Sequence, residues 1–222
     1  MKKLLLIASL LLFTGCLDNL KFWGDKTEKI EKTENNTTKK VKKKSQDANL
    51  TKKQLEVKTY FKLYLQQLEA LDTEGIISMT YPKLFIPINK ALFKQYVNSL
   101  LTSTHISVES FDTNITYIDS VQSYSLGEFV HLRYDSHIKL AFINPELYNN
   151  ELSLRVLKDV LNSKYGKENI IIEPENRIII ISKEEELLGI KENNDEWKFI
   201  GDNDEYRRLY PRILPLDILS RI

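Results

Sequence analysis

The pattern of this chain predicts an α+β domain. Helical periodicity fills the first ordered stretch, strict alternation takes over after His105, and a single helix interrupts the strands that follow. The helices come first. Thr51-Lys52-Lys53-Gln54 has the spacing of a capping box, in which a threonine oxygen and a glutamine side chain satisfy backbone donors that a helix start leaves unpaired. Behind it Val57, Tyr60, Phe61, Tyr64, Leu68 and Leu71 recur at three- and four-residue steps, with Lys58, Lys62, Gln66 and Glu69 between them, which makes one buried stripe. A short helix is expected over Thr73 to Met79, ended by Tyr81-Pro82 because proline disfavours a helical residue before it. A third helix over residues 88–101 carries Leu92, Phe93, Tyr96, Val97 and Leu100 on one side.

The strands follow. Residues 106–118 read as a strand whose apolar phase slips near Ser110, the mark of a bulge. Val130, Leu132, Tyr134, Ser136, Ile138, Leu140 and Phe142 alternate with His131, Arg133, Asp135, His137 and Lys139, a long strand with one face expected in the core and the other in solvent. Helical spacing returns over residues 151–165 and closes at Gly166, as helices often do. Four more strands are expected at residues 170–172, 178–181, 187–191 and 197–200, with Glu184-Glu185-Glu186 as a solvated turn and Asn193-Asn194-Asp195 as a second one. A helical segment over residues 204–209 and a tail with Pro211 and Pro215 complete the chain.

This order resembles the NTF2-like (SnoaL/cystatin-like) family over about residues 51–201. The likeness is carried by Tyr81-Pro82-Lys83-Leu84-Phe85 after the second helix and by the closing Asn194-Asp195-Glu196-Trp197-Lys198-Phe199, segments similar to those of uncharacterised NTF2-like proteins of Bacteroidota. It implies a curved, mainly antiparallel sheet wrapped around the N-terminal helices as a cone, here with residues 151–165 as an inserted helix. Some members of that family are isomerases with a carboxylate base inside the cone.

The first fifteen residues have a different character. Met1-Lys2-Lys3 opens them, an apolar run from Leu4 to Phe13 follows, and Thr14-Gly15 leads into Cys16, the sole cysteine of the 222 residues. A membrane-spanning helix needs roughly 20 apolar residues, about twice what this run supplies. The segment has the form of a secretory signal, and Phe13-Thr14-Gly15-Cys16 resembles the lipobox of bacterial lipoproteins. That resemblance implies cleavage before Cys16, acylation of its thiol with palmitate or a similar chain, and a protein of the cell envelope, in the outer membrane if the source is a diderm. An exported chain with one unpaired thiol is otherwise an oddity.

Residues 16–50 then form the expected tether. Residues 17–50 hold nine lysines and six acids and very few apolar groups, too little to offset chain entropy. Residues 51–222 hold 21 basic and 25 acidic residues, so the domain lacks the basic footprint of a nucleic-acid binder. Without a second cysteine its stability rests on apolar burial.

Chemistry is sparse. Tyr60 and Tyr64 lie one turn apart on the first stripe, with Tyr134 able to oppose them, and these three hydroxyls are the candidate ligand pocket; the plainer reading makes them core aromatics. Asp112 lies on a strand of uncertain phase and is the candidate base there. His131 and His137 stand six residues apart on one strand, roughly 20 Å, and share no ion. Glycine-rich phosphate loops and nucleophile elbows are missing from the sequence. Asp119-Ser120-Val121 resembles the Asp-Ser/Thr-aliphatic motif for O-glycosylation in Bacteroidota, a pattern short enough to recur by chance.

No metal and no cofactor is expected. The sequence therefore predicts a lipid-anchored envelope protein with a non-catalytic domain for binding or scaffolding, its partners the membrane through Cys16 and an envelope protein. A carrier or sensor of a small apolar ligand in the cone is the first alternative, and an isomerase- or hydratase-like enzyme the second.

Overall fold

The computed structural model describes residues 50–101, 103–144, 149–193 and 195–222; Cys16, the signal segment and residues 16–49 of the tether lie outside them. Helices α1 (Lys52–Glu69), α2 (Thr73–Met79) and α3 (Lys90–Leu101) come first. Strands β1 (Ile106–Ile118), β2 (Gln122–Tyr124) and β3 (Gly127–Phe142) follow, then α4 (Glu151–Tyr165), β4 (Ile170–Glu173), β5 (Ile178–Glu192) and β6 (Lys198–Gly201). Three one-turn helices close the chain: α5 (Asp204–Arg207), α6 (Tyr210–Ile213) and α7 (Leu216–Leu219). The six strands form one open antiparallel sheet in the order β1-β3-β5-β4, with β2 on β3 and β6 on β5. The fold is α+β. No helix among the described residues is long and apolar enough to cross a membrane.

The capping box at Thr51 and Gln54 is formed, and α1 buries Val57, Phe61, Tyr64, Leu65 and Leu68 against the sheet. The same helix shields an edge. Gln54 near its start donates from Nε2 to the carbonyls of Ile118 (3.2 Å) and Asp119 (3.1 Å), and Glu69 at its end accepts from the backbone N–H (2.8 Å) and hydroxyl (2.6 Å) of Thr113. Side chains from both ends of the helix thus occupy backbone groups of the outermost strand that would otherwise invite pairing. The register of β1 on β3 slips between Val108 and Ser110, at the expected bulge, and again between Ile115 and Tyr117.

Alternation along β3 gives the sheet two faces. On the inner face Val130, Leu132 and Tyr134 pack with α1, Trp197 and Phe199, while Leu140 and Phe142 pack with Leu157, Leu161 and Tyr165 of α4. On the outer face Phe129, Leu188, Ile190 and Ile200 meet Tyr81, Phe93, Val97, Tyr206, Tyr210, Ile213 and Ile218. α2 sits at the end of the sheet, with Ile76 in the inner cluster and Ile77 in the outer.

Three expectations need correcting. The strands expected at residues 178–181 and 187–191 are one strand, β5, and Glu184-Glu185-Glu186 lies in its middle, not in a turn. Pairing with β3 along the whole length of β5 holds the backbone extended through three successive acids. The stretch expected as a tail with Pro211 and Pro215 carries α6 and α7, and Tyr210, Ile213, Leu214 and Ile218 are buried because the outer face there is apolar and needs a cover. His131 is consequently not turned to solvent. It shares the outer face as expected, but under the C-terminal helices, with only 27% of its side chain exposed.

Candidate functional site

β5 has β3 on one side, so β4 and β6 must share the other. β4 pairs with residues 178–181 and β6 with Leu187, Leu188, Gly189 and Ile190, which leaves residues 182–186 without a strand partner on the outer edge. Of the five buried polar residues among the described ones, Ser136, Glu185 and Asp202 gather around this break. Such groups tolerate burial only when paired, and they concentrate where a protein needs them for more than packing.

Inside the break, Lys183 and Glu185 follow Ile179 and Ile181 in the inward phase of β5. Lys183 Nζ lies 3.3 Å from Glu185 Oε2, and the Ser136 hydroxyl donates to the Lys183 carbonyl at 3.2 Å. Tyr134 stands opposite Glu185 in the register. Burial, followed by the charge of Glu185, pushes the Tyr134 phenol well above its ordinary range, so it stays neutral. Phe111, Ile138, Tyr165 and Ile181 complete a hollow of about 10 Å3 around these groups. That is room for about one water molecule.

Outside the break lies an open cleft of about 440 Å3, lined by Lys164, Tyr165, Lys183, Glu186 and the run of residues 202–205 with Arg207. Tyr165 and Lys183 border both spaces. Asp202 builds the far wall. Its N–H donates to the Glu186 carbonyl at 2.9 Å, and Arg207 grips its carboxylate with Nε at 2.7 Å and Nη2 at 3.2 Å. His131 Nδ1 lies 3.2 Å away, and the Tyr210 hydroxyl donates to the same carboxylate at 3.2 Å. Burial alone would raise the Asp202 pKa. The hydrogen bonds from His131 and Arg207 outweigh it and hold the carboxyl well below the usual range. Burial, reinforced by the charge of Asp202, pushes Tyr210 up in turn. Asn203 caps α5, its side chain accepting from the N–H groups of Glu205 and Tyr206. Gly201 is required at this corner: a Cβ there would sit 2.5 Å from the Tyr206 ring.

The residues singled out from sequence fall elsewhere. Tyr64 and Tyr134 are core aromatics. The Tyr64 ring stacks on Phe199 at 5.1 Å, and Phe61 lies between Tyr134 (5.9 Å) and Phe199 (5.6 Å). Tyr60 is partly buried beside them, and of the three only Tyr134 borders either space, lining the small hollow beside Glu185. Asp112 is exposed on the outer face opposite His137, whose Nδ1 is 2.7 Å from the Ser182 hydroxyl. Among the described residues no three His, Cys, Asp or Glu side chains come together as a metal group. Ser120 is exposed, and its N–H donates to Asp119 Oδ1 at 2.6 Å.

The two segments that carry the family resemblance do meet. The Tyr81 N–H donates to the Phe199 carbonyl at 2.8 Å, and Glu192 Oε1 accepts from Tyr81 (2.9 Å), Lys83 (2.8 Å) and Tyr124 (3.1 Å). Burial opposes the charge on Glu192, but the bonds from Lys83 and Tyr81 lower its pKa all the same. That hub ties α2's exit to the ends of β2 and β5 and is structurally satisfied.

Glu185 and Asp202 were missed. A signal existed for Glu185: continuing the alternation from Ile181 to Leu187 passes through Lys183 and Glu185, an opposite-charge pair in the inward phase. Gly201-Asp202-Asn203-Asp204 reads as turn and cap, and nothing in it marks Asp202 as buried. Compared with known proteins, the chain matches no family model, no curated protein and no solved structure.

Proposed function

We propose that this chain is a lipid-anchored protein of the cell envelope, held at the membrane through acylated Cys16, whose NTF2-like domain is a non-catalytic binding or scaffolding module. The observation that carries the reading is the contrast in free space. The hollow between Tyr165 of α4 and the inner face of the sheet is about 10 Å3, whereas the larger spaces are open clefts at the surface: about 440 Å3 at the broken sheet edge, about 360 Å3 between α1 and β1, and about 430 Å3 beside Glu192. A ligand-carrying cavity is usually some 300–1,000 Å3. A small apolar cargo has no room in that inner hollow, and a partner would be met at the surface. The NTF2-like assignment is supported by helices first, an antiparallel sheet, and the meeting of Tyr81 with Phe199.

The test has two arms. Two or more acyl chains hold a protein stably on a bilayer, each buried methylene adding about 0.8 kcal/mol. The wild-type chain should therefore stay with membranes through a carbonate wash, and Cys16→Ala should be released or remain as precursor. Equal retention of both would defeat the anchor. In the second arm Tyr64→Ala should cost about 3 kcal/mol, as aromatic deletions from filled cores do, and small apolar probes should leave the wild-type melting temperature unchanged. A mild penalty together with a probe-induced rise would favour the carrier reading.

The enzyme reading has one observation behind it, the inward carboxylate of Glu185. It is ion-paired to Lys183 in a space the size of one water, with no room for a substrate beside it.

A further inference from the structure

The break in the sheet edge has a definite shape, and its backbone chemistry can be read from parity. Successive residues of a strand direct their N–H and C=O groups to opposite neighbours. The Glu186 carbonyl accepts from Asp202, so it faces the outer edge. The Lys183 carbonyl accepts from Ser136 of β3, so it faces inward along the sheet. Ser182 and Glu184 share the parity of Glu186 and therefore direct their N–H and C=O groups into the gap. Glu184, at its centre, is exposed.

The two sides of the gap differ in charge. At the β6 end stand Glu186, Asp204 and Glu205, beside an Asp202 whose charge is already met by Arg207 and His131. At the β4 end stand Lys164, on the last turn of α4, and Lys183, which Glu185 holds at 3.3 Å. A row of strand-edge backbone groups with acids at one end and lysines at the other is complementary to a peptide, whose main chain supplies the partner groups and whose termini supply the opposite charges. β6 and β4 both run antiparallel to β5, so a peptide lying between them in the same direction would begin at the acidic end and finish at the basic end. The span from Ser182 to Glu186 is four steps of about 3.3 Å, roughly 13 Å, which an extended tripeptide fills and a longer one overruns.

We propose that this break binds a short peptide with free termini, about three residues long, which completes the missing middle of the outer strand antiparallel to β5. Its ammonium group lies toward Glu186 and Asp204, its carboxylate toward Lys183 and Lys164, and its main chain pairs with Glu184. The inference rests on the reading of the domain as a binding module and names what it binds. Alternate side chains of such a peptide would point toward the two faces of the sheet, the inner one past Tyr165.

The test uses the full chain in detergent with three probes: tri-alanine, N-acetyl-tri-alanine amide and penta-alanine. Tri-alanine at millimolar concentration should slow amide hydrogen exchange at Glu184 and raise the melting temperature. The blocked peptide and penta-alanine should bind at least about ten-fold more weakly, the size expected for losing a terminal charge contact worth about 1.4 kcal/mol. Asp204→Lys and, separately, Lys164→Glu should each weaken tri-alanine by about the same factor. Neither side chain is in the core, so loss of folding in one leaves the other to report. No protection at Glu184, or equal binding of free and blocked peptides, overturns the proposal. Cys16→Ala and Tyr64→Ala report on the anchor and the filled core independently, so their expected results alongside absent peptide binding would remove this inference alone.

Discussion

The two faces of the sheet are made by the same strands and end in different states. The inner face is covered from α1 at one end to α4 at the other, and its middle is closed to within the volume of a water molecule. The outer face is covered only where Phe129, Leu188, Ile190 and Ile200 stand; beyond His131 it carries Arg133, Asp135, His137, Glu184 and Glu186 and lies open. Apolar residues in one phase of the alternation decide where a cover can be stabilised, and charged residues in the same phase decide where it stops. Two histidines of β3 show the change. His131 and His137 project from the same face, yet the first lies under the C-terminal helices against a buried carboxylate and the second is exposed beside Ser182. Position along the strand, not phase, separates them.

The largest effect should come from the inner face. Phe61 is fully buried with a ring on either side, and Phe61→Ala should cost about 4 kcal/mol, as phenylalanine deletions in cores do. Urea denaturation measures it, and a loss below about 1 kcal/mol would mean that this face is not the filled one. Next comes the carboxylate under the outer cover. Asp202→Asn should cost about 2 kcal/mol near neutral pH, because the hydrogen bonds it accepts are charge-assisted. Its pKa is depressed on folding, so its contribution is complete above the ordinary value of about 3.9 and is lost as pH falls through the folded value. The wild-type stability curve should therefore steepen below about pH 4, and the Asn variant should be flatter there. Parallel acid limbs in the two proteins would show that the Asp202 cluster does not hold the C-terminal helices.

The smallest pair of effects draws the boundary of the cover. His131→Ala should cost about 1 kcal/mol, through the bond to Asp202 and the contact with Phe129. His137→Ala should stay within about 0.5 kcal/mol, as surface changes do. Equal losses at the two sites would erase the distinction between a covered and an open outer face.

Much of this fold was legible in the chain because local signals agreed with their surroundings. The capping box of α1, the stripe around Phe61, the bulge near Ser110, the long alternation of β3 and the helix ending at Gly166, whose φ is +87°, all appear where the spacing places them. In each the residues that set the geometry lie within a few positions of one another. The break in the sheet edge was not legible, because it exists only where β4 and β6, separated in sequence by the whole of β5, stop short of each other along the same neighbour.

The sequence by itself determined the α+β class, the inner stripe of α1 and the two phases of β3, since hydrophobic period is a local property that the backbone converts directly into facing. It pointed, wrongly, to a solvated turn at Glu184-Glu185-Glu186, because three acids in a row favour solvent in any local account. Only the tertiary structure decided their place. Pairing of β5 with β3 on both flanks holds the segment extended, which drives Glu185 inward onto Lys183 and turns the backbone of Glu184 to the open edge. The same holds for Asp202. Its burial follows from the apolar outer face that draws the last helices over it, and its charge is tolerated there because His131 arrives from β3 and Arg207 and Tyr210 from the C-terminal helices.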